Sequence, residues 1–476
     1  MALNVAELID ALPEVDSDDA TLSGGVVSEA LATVLSNRPV PTGSMRRLSL
    51  LGGLQAKIAV AYGFHWLRGW FQDADQRERA LKETHFKTAL KMLDSMGYLR
   101  GAVMKVGQTL ANFPDVAPDG LVQTLEKLHF QAPPMHFSLL RETVINELGD
   151  EPHNLFAEFD ETAFAAASLG QVHRARLKSG QQVAVKIQYP GIARTIRTDF
   201  RNLIPLLLPS RLTGDWQNLK DQVEFARRGI EQETDYTREA ETQTRVRQLF
   251  FEEDSIVVPQ VYPEFSTDRI ITMDYLEGDH LDAFLAKNPS QDERNDYALK
   301  LTRAGARIVY QGRLNNVDVH AGNYLFMPDG RLGLIDFGCV LRIEGDAMWE
   351  LYGRLHRAMM TGEDSSIRDA MKEWQQLTDA PRDAENLRLS TEFGKLCWKP
   401  YYVPGPFNYG DREYLQRGIN VMTELMKNRC TRSHPTNLMQ ARWHVGWWMM
   451  FYRLGAIIDP SPIVNEETSA TGWESC

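Results

Sequence analysis

Four residues in fixed order constrain this 476-residue chain more than anything else in it: Lys186, Asp318, Asn323 and Asp336. Lys186 closes Val183-Ala184-Val185-Lys186, an apolar strand pattern that ends in a cation. Asp318 and Asn323 stand five residues apart, and Asp336 opens Asp336-Phe337-Gly338. Pro328-Asp329-Gly330 is a turn signal between Tyr324-Leu325-Phe326 and Leu332 to Ile335, so a hairpin is expected just before Asp336. Leu334-Ile335 then reads as a buried strand that delivers Asp336 to a cleft. Each piece is weak alone, because D-F-G is often just a strand end with a turn and V-A-V-K an ordinary edge strand. In this order and spacing they serve one chemistry. A lysine neutralises phosphate charge, a carboxylate and an amide oxygen hold a divalent cation, and a second carboxylate orients or deprotonates an attacking hydroxyl or water.

That set points to a nucleotide–Mg²⁺ site of the protein-kinase type, with three departures. The stretch before the lysine, where G-x-G-x-x-G would cover the phosphates, is Ala165-Ala166-Ala167-Ser168-Leu169-Gly170. Alanine resists the positive-φ conformations open to glycine, which predicts a stiffer loop. Asn316-Val317-Asp318 stands where H-R-D is usual. Upstream, Lys105-Val106-Gly107-Gln108 falls in a helical pattern from about Phe86 to Ala111. Lys105 and Gln108, three apart, share a helix face. Read alone, this is a packed helix with Lys105 exposed.

Together, the alanine-rich loop, K-x-G-Q, Glu233-Thr234-Asp235-Tyr236 and Asp318 to Asn323 with D-F-G resemble the UbiB-like atypical kinases, also called AarF-domain kinases. The resemblance runs from about residue 45 to about 455. It takes in Leu125-x-x-Leu128 with Pro133-Pro134, and Val185 to Gly191. Where that family usually carries H-A-D-P-H-P-G-N, this chain has Asn316-Val317-Asp318-Val319-His320-Ala321-Gly322-Asn323, without the leading histidine and both prolines.

The resemblance implies a fold: α+β, two-lobed, protein-kinase-like and helix-rich, with an N-terminal helical extension carrying K-x-G-Q. It implies ATP with Mg²⁺ or Mn²⁺ as cofactors. Asn323 and Asp336 would ligate the metal, Asp318 would be the base or orient the nucleophile, and Lys186 would anchor the α/β-phosphates. Ala165, Ala166, Ala167 and Ser168 would cover the phosphates, and Lys105 and Gln108 would turn inward over the nucleotide. Met273, Asp274 and Leu276, in Ile270 to Gly278, match the strand and hinge under the adenine; a buried strand and turn would read the same. Glu233 and Glu239 are both expected on one helix, about Asp221 to Phe251. Either can pair with Lys186, with Glu239 the favoured partner. Six positions on a helix is about 600°, so the two would point differently.

An extension in the cleft obstructs a protein substrate, which favours ATP hydrolysis or phosphorylation of a small lipid-like molecule. The family's link to ubiquinone and isoprenoid-lipid metabolism implies quinone-like lipids, a membrane surface and quinone-biosynthesis proteins as partners. A conventional protein kinase and a non-catalytic nucleotide-binding scaffold stand as alternatives. The missing A-P-E after Cys339 disfavours the first, and retention of all four site residues disfavours the second.

Composition narrows the classes further. At 43% hydrophobic the chain reads as globular, and a net charge of −12 disfavours a nucleic-acid partner. Cys339, Cys397, Cys430 and Cys476 are scattered without C-x-x-C, which disfavours a zinc site and suits a reducing compartment. The acidic N-terminus has neither a signal-peptide nor a transit-peptide pattern, so a cytoplasmic location, peripheral at most to a membrane, is expected. No apolar run reaches transmembrane length. The nearest, Trp443 to Ile458, reads either as a buried helix or, through Trp447, Trp448, Phe451 and Tyr452, as a membrane-surface face. The expected organisation is a mobile segment over 1–44, a helical extension over 45–155, an N-lobe over 156–278 and a helical C-lobe over 279–476.

Overall fold

The computed structural model describes residues 137–167, 169–192, 227–229, 231–316, 319–377, 381–427, 436–469, 471 and 473. Lys105, Gln108, Ser168, Asp318 and the helices expected between 45 and 111 lie outside the described residues. The chain divides into two compact units. One holds the chain up to Leu155 with Phe159–His173 and Lys186–Thr234; the other holds Phe156–Glu158, Arg174–Val185 and Asp235–Cys476.

In the first unit, helix α1 (Ser138–Leu148) stops at Gly149, whose φ of 83° is a left-handed cap that glycine adopts without a Cβ penalty. A short helix α2 (Pro152–Leu155) and strand β1 (Glu158–Ala167) follow; strands β2 (Gly170–Arg176) and β3 (Gln182–Gln188) are divided, with 170–173 and 186–188 in the first unit and 174–176 and 182–185 in the second. With β5 (Ile270–Asp274) these make a four-stranded sheet, order β1-β2-β3-β5. The Phe137 ring lies 5.1 Å from both Phe159 and His173. His173 is buried, its Nδ1 bonded to the Asp160 carbonyl at 2.9 Å, and desolvation holds its pKa below the ordinary histidine value. Gly170 has a packing reason: a Cβ there would stand 2.2 Å from the Ile187 carbonyl oxygen.

The long run of the second unit, Asp235–Cys476, opens on a helix start. Asp235 accepts a hydrogen bond from the Arg238 amide and caps α3 (Tyr236–Leu249). Strand β4 (Ile256–Val257) pairs parallel with β8 (Leu332–Leu334), and β8 pairs antiparallel with β7 (Tyr324–Phe326) in the register Tyr324↔Leu334. The hairpin expected around Pro328-Asp329-Gly330 is this β7–β8 pair. A second ribbon joins β6 (Leu314–Asn316) to β9 (Val340–Arg342), with Asn316 opposite Val340. Asp336-Phe337-Gly338 is therefore the link between two ribbons.

Around them the unit is helical: α4 (Leu281–Ala286), α5 (Gln291–Tyr310), α6 (Asp346–Thr361), α7 (Asp364–Trp374), α8 (Pro381–Tyr402), α9 (Arg412–Lys427), α10 (Thr436–Leu454) and α11 (Ser461–Ser469), with the short pair β10 (Phe407–Asn408) and β11 (Ile457–Ile458). A capping box of Ser290 and Glu293 starts α5. The core gathers Phe284, Tyr297, Phe326, Phe337, Trp447, Trp448, Phe451 and their neighbours. The Trp443–Leu454 stretch thus belongs to a core helix, with Trp447, Trp448, Met450, Phe451 and Leu454 buried. No helix among the described residues is long and apolar enough to cross a membrane.

Candidate active site

The described half of the site lies in the second unit, on the turns where β6, β7 and β8 end. The main chain holds these turns together: the Ile335 amide donates to the Asn323 carbonyl at 3.1 Å. His320 supports the turn before Asn323, its Nδ1 accepting from the Gly322 amide at 3.0 Å. Asn316 Nδ2 approaches the Asp336 carbonyl oxygen at 3.4 Å, and Phe337 is buried in the core, which anchors the D-F-G turn from below. The Asp336 carboxylate is oriented by the Gly338 amide at 3.0 Å. Asn316, Asn323 and Asp336 line one cavity, closed on other sides by Gly305 and Ile308 of α5 and Trp443 and Trp447 of α10.

Glu239, in the first turn of α3, is 3% exposed. A Cβ placed on Gly338 would stand 3.4 Å from Asp336 Oδ1 and 3.5 Å from Glu239 Oε2, so the two carboxylates face one backbone point. Arg238, beside Glu239, reaches the Val340 carbonyl at 3.4 Å and ties α3 to the strand that follows D-F-G. Glu233 is also buried, but it precedes the Asp235 cap and is not on α3. The single helix expected over 221–251 is interrupted there, because the Asp235 side chain competes for the first amides and restarts the helix. Glu233 and Glu239 therefore do not share one helix and are not related by its step of about 100°.

On β5, Met273 ends the buried run and its sulfur accepts from Gln243 Nε2 at 3.4 Å. The Asp274 side chain is held by Tyr262 Oη at 2.8 Å and the Gln260 amide at 2.9 Å, and its own amide is given to the Gln260 carbonyl. Desolvation and the bond to Asp274 push the Tyr262 phenol up to about 12. The Leu276 amide donates to no backbone carbonyl among the described residues. In the first unit, Lys186 lies on the buried stretch of β3. Ala165, Ala166 and Ala167 are not loop but the end of strand β1. None adopts positive φ, as their Cβ atoms dictate.

Sequence reasoning passed over Asn316, His320 and the Gly338 amide as site-builders. Asn316 and His320 sit inside the quoted loop, but nothing in their spacing says which backbone group each will hold.

A match over residues 127–370, just over half of the chain, is to the ABC1 atypical kinase-like domain. The chain belongs to the ABC1 atypical kinase-like family. Its fold is accordingly a kinase-like α+β fold, helix-rich in its second unit. Similar proteins include the probable serine/threonine-protein kinase abkA of Dictyostelium discoideum, 28% identical over 401 residues, covering 79% of this chain and 70% of that protein. The atypical kinase COQ8, mitochondrial, of Schizosaccharomyces pombe is 33% identical over 315 residues, covering 65% of this chain and 51% of that protein. The chain thus spans about half the length of this COQ8 relative. Among solved structures, the Rv3197–erythromycin complex from Mycobacterium tuberculosis superposes with a TM-score of 0.51 at 24% identity, covering 82% of this chain and 98% of that one, a likeness of fold.

The donor set tests the implied metal. A carboxylate and an amide oxygen are hard oxygen ligands of the kind Mg²⁺ takes, with its remaining positions kept for water and phosphate oxygens, and both residues border the same small cavity of about 20 Å³. Among the described residues no group of three or more His, Cys, Asp and Glu forms an all-protein metal cage. Asp336 and Asn323 therefore fit a nucleotide-borne divalent ion better than zinc or a transition metal.

Proposed function

We propose that this ABC1-family protein binds ATP with Mg²⁺ or Mn²⁺ and transfers the γ-phosphoryl group to water or to a small, lipid-like acceptor. The observation that carries the reading is the D-F-G turn, where a backbone amide orients the Asp336 carboxylate on the cavity that also receives Asn323. In this proposal Asp336 and Asn323 hold the metal, which when bound neutralises phosphate charge. Lys186 neutralises the α/β-phosphates and Asp318 orients the attacking oxygen, roles assigned from motif order. Glu233 and Glu239 are the two carboxylates from which a lysine partner is drawn. Lys105, Gln108 and Ala165 to Ser168 carry their assigned roles on the resemblance alone. The Asp274 carbonyl and Leu276 amide would bond the adenine edge, with Met273 behind it.

The COQ8 name of one relative supports an acceptor or partner in quinone metabolism, and its mitochondrial label supports testing the protein at a membrane surface. The test is ATP turnover with Mg²⁺, in the presence and absence of vesicles carrying a ubiquinone-like lipid, for wild type and Asp336→Asn. Turnover that Asp336→Asn abolishes is the expected result. Equal turnover in both proteins would remove the assignment. Phosphorylation of a protein substrate at a rate exceeding hydrolysis would replace the small-acceptor reading.

A further inference from the structure

Helix α8 contains Pro400, which lacks an N–H and so leaves the Leu396 carbonyl without its helical donor. Tyr414 of α9 supplies a replacement, its hydroxyl donating to that carbonyl at 2.5 Å, while Tyr402 Oη donates to the Lys395 carbonyl at 3.3 Å. These two tyrosines and Leu396 form the floor of an open cleft of about 450 Å³. One face of α8 runs along it, with α7 and α9 as walls.

The rim is cationic, in contrast to the net charge of −12 of the whole chain. Five cations line the cleft, Arg368, Arg388, Lys395, Lys399 and Arg417, against two acids, Asp364 and Glu392. Three of the cations are committed. Lys395 pairs with Asp364, Arg417 with Glu392, and Arg388 with Glu385 and Glu392. Arg368 and Lys399 have no carboxylate partner among the described residues; Lys399 instead stands 5.3 Å from the Tyr414 ring centre. Arg368 acts through space on the Asp364 carboxyl but makes no direct ion pair with it, so Arg368 and Lys399 are two cations without a direct carboxylate contact over an aromatic and aliphatic floor, as an anion with an apolar remainder requires.

We propose that this cleft binds a phosphate or diphosphate group joined to an apolar body. Arg368 and Lys399 take the anionic oxygens, and Leu396, Tyr402 and Tyr414 take the apolar part. The site is separate from the D-F-G cavity and does not depend on the nucleotide reading. The phosphate can belong to a free small molecule or to a lipid headgroup.

The test uses the full chain with inorganic pyrophosphate, geranyl diphosphate, and phosphatidylcholine vesicles with and without phosphatidic acid. Binding is followed by calorimetry and vesicle flotation for wild type, Arg368→Ala/Lys399→Ala, Arg368→Glu and Asp336→Asn. Arg368 and Lys399 are exposed, so their removal leaves the fold intact. The geometry predicts that geranyl diphosphate binds more tightly than pyrophosphate. Each cation removed should weaken binding about fivefold to tenfold, and Arg368→Glu more. Asp336→Asn should bind as wild type does. Capture by phosphatidic acid vesicles alone, lost in the double variant, identifies a lipid headgroup as the source. Diphosphate binding without vesicle capture identifies a free small molecule. Binding unchanged in the double variant, binding lost in Asp336→Asn, or no binding of any of these probes overturns the proposal.

Discussion

Removal of Glu467 should cost the second unit more than any surface change. This residue of α11 is 1% exposed and receives donors from three residues along α5 and its C-cap, Arg303, Arg307 and Gln311. Arg303 Nη1 lies at 3.1 Å, Arg307 Nη2 at 2.8 Å and Gln311 Nε2 at 2.5 Å. Taking one partner out of a buried ion pair typically costs about 3–5 kcal/mol. Here the loss is softened, because Arg303 keeps Glu466 at 3.0 Å and Arg307 keeps Glu253 at 3.4 Å. Glu467→Ala is therefore expected near the lower bound, about 3 kcal/mol, or a fall in melting temperature of roughly 6–12 °C. Glu467→Gln keeps the shape and two acceptor-donor contacts and should lose about half as much. Differential scanning calorimetry on the two variants decides it. A fall of less than about 2 °C for Glu467→Ala would show that the arginines are satisfied without it and that the cluster does not hold α11 to α5. The neighbouring face of α5 carries Gly305 and Ile308 against the D-F-G cavity, so the same anchor also steadies the site.

Other outcomes follow from the same geometry. Gly170→Ala puts a methyl 2.2 Å from a main-chain oxygen that cannot swing away, so strands β2 and β3 must separate; a cost of about 1–3 kcal/mol is expected in denaturant titration, and an unchanged midpoint would contradict the packing. His356, buried with its Nδ1 2.9 Å from the Tyr310 hydroxyl, is pushed down to about 4 by desolvation and then by Arg357. Its folded pKa lies below its unfolded value of 6.5. The unfolded chain therefore binds the extra proton first, and the contribution present above that value is lost as the pH falls toward about 4. His356→Gln should flatten the stability–pH slope across that window, and an unaltered slope would place the titration elsewhere. Gly338→Ala adds a methyl at ordinary contact distance from both carboxylates, so it should fold normally and change metal affinity more than melting temperature.

Legibility in the sequence varied with how local the determinant was. The hairpin before Asp336 was readable because Pro328-Asp329-Gly330 is punctuation and its flanking strands are apolar on every residue. The buried strand over Ile270–Asp274 was readable from its apolar run, and the buried character of Trp443–Leu454 was one of two open readings. The alanines at 165–167 were expected as loop because the family position is a phosphate loop; they instead continue strand β1 to its end, which alanine's weak strand preference does not announce. The break before α3 hangs on a single Asp235 cap inside an otherwise helical composition. Partnerships such as Asn316 with the Asp336 carbonyl or Glu467 with Arg303 and Arg307 span the chain, and no spacing rule encodes them.

The most direct test of the central claim is equilibrium ATP binding with and without Mg²⁺, on wild type and Asp336→Asn, followed by a fluorescent nucleotide. The account predicts that Mg²⁺ tightens binding at least about tenfold in wild type and has little effect in Asp336→Asn. Metal-independent binding of equal strength in both proteins would contradict the assignment of Asp336 to the nucleotide's metal.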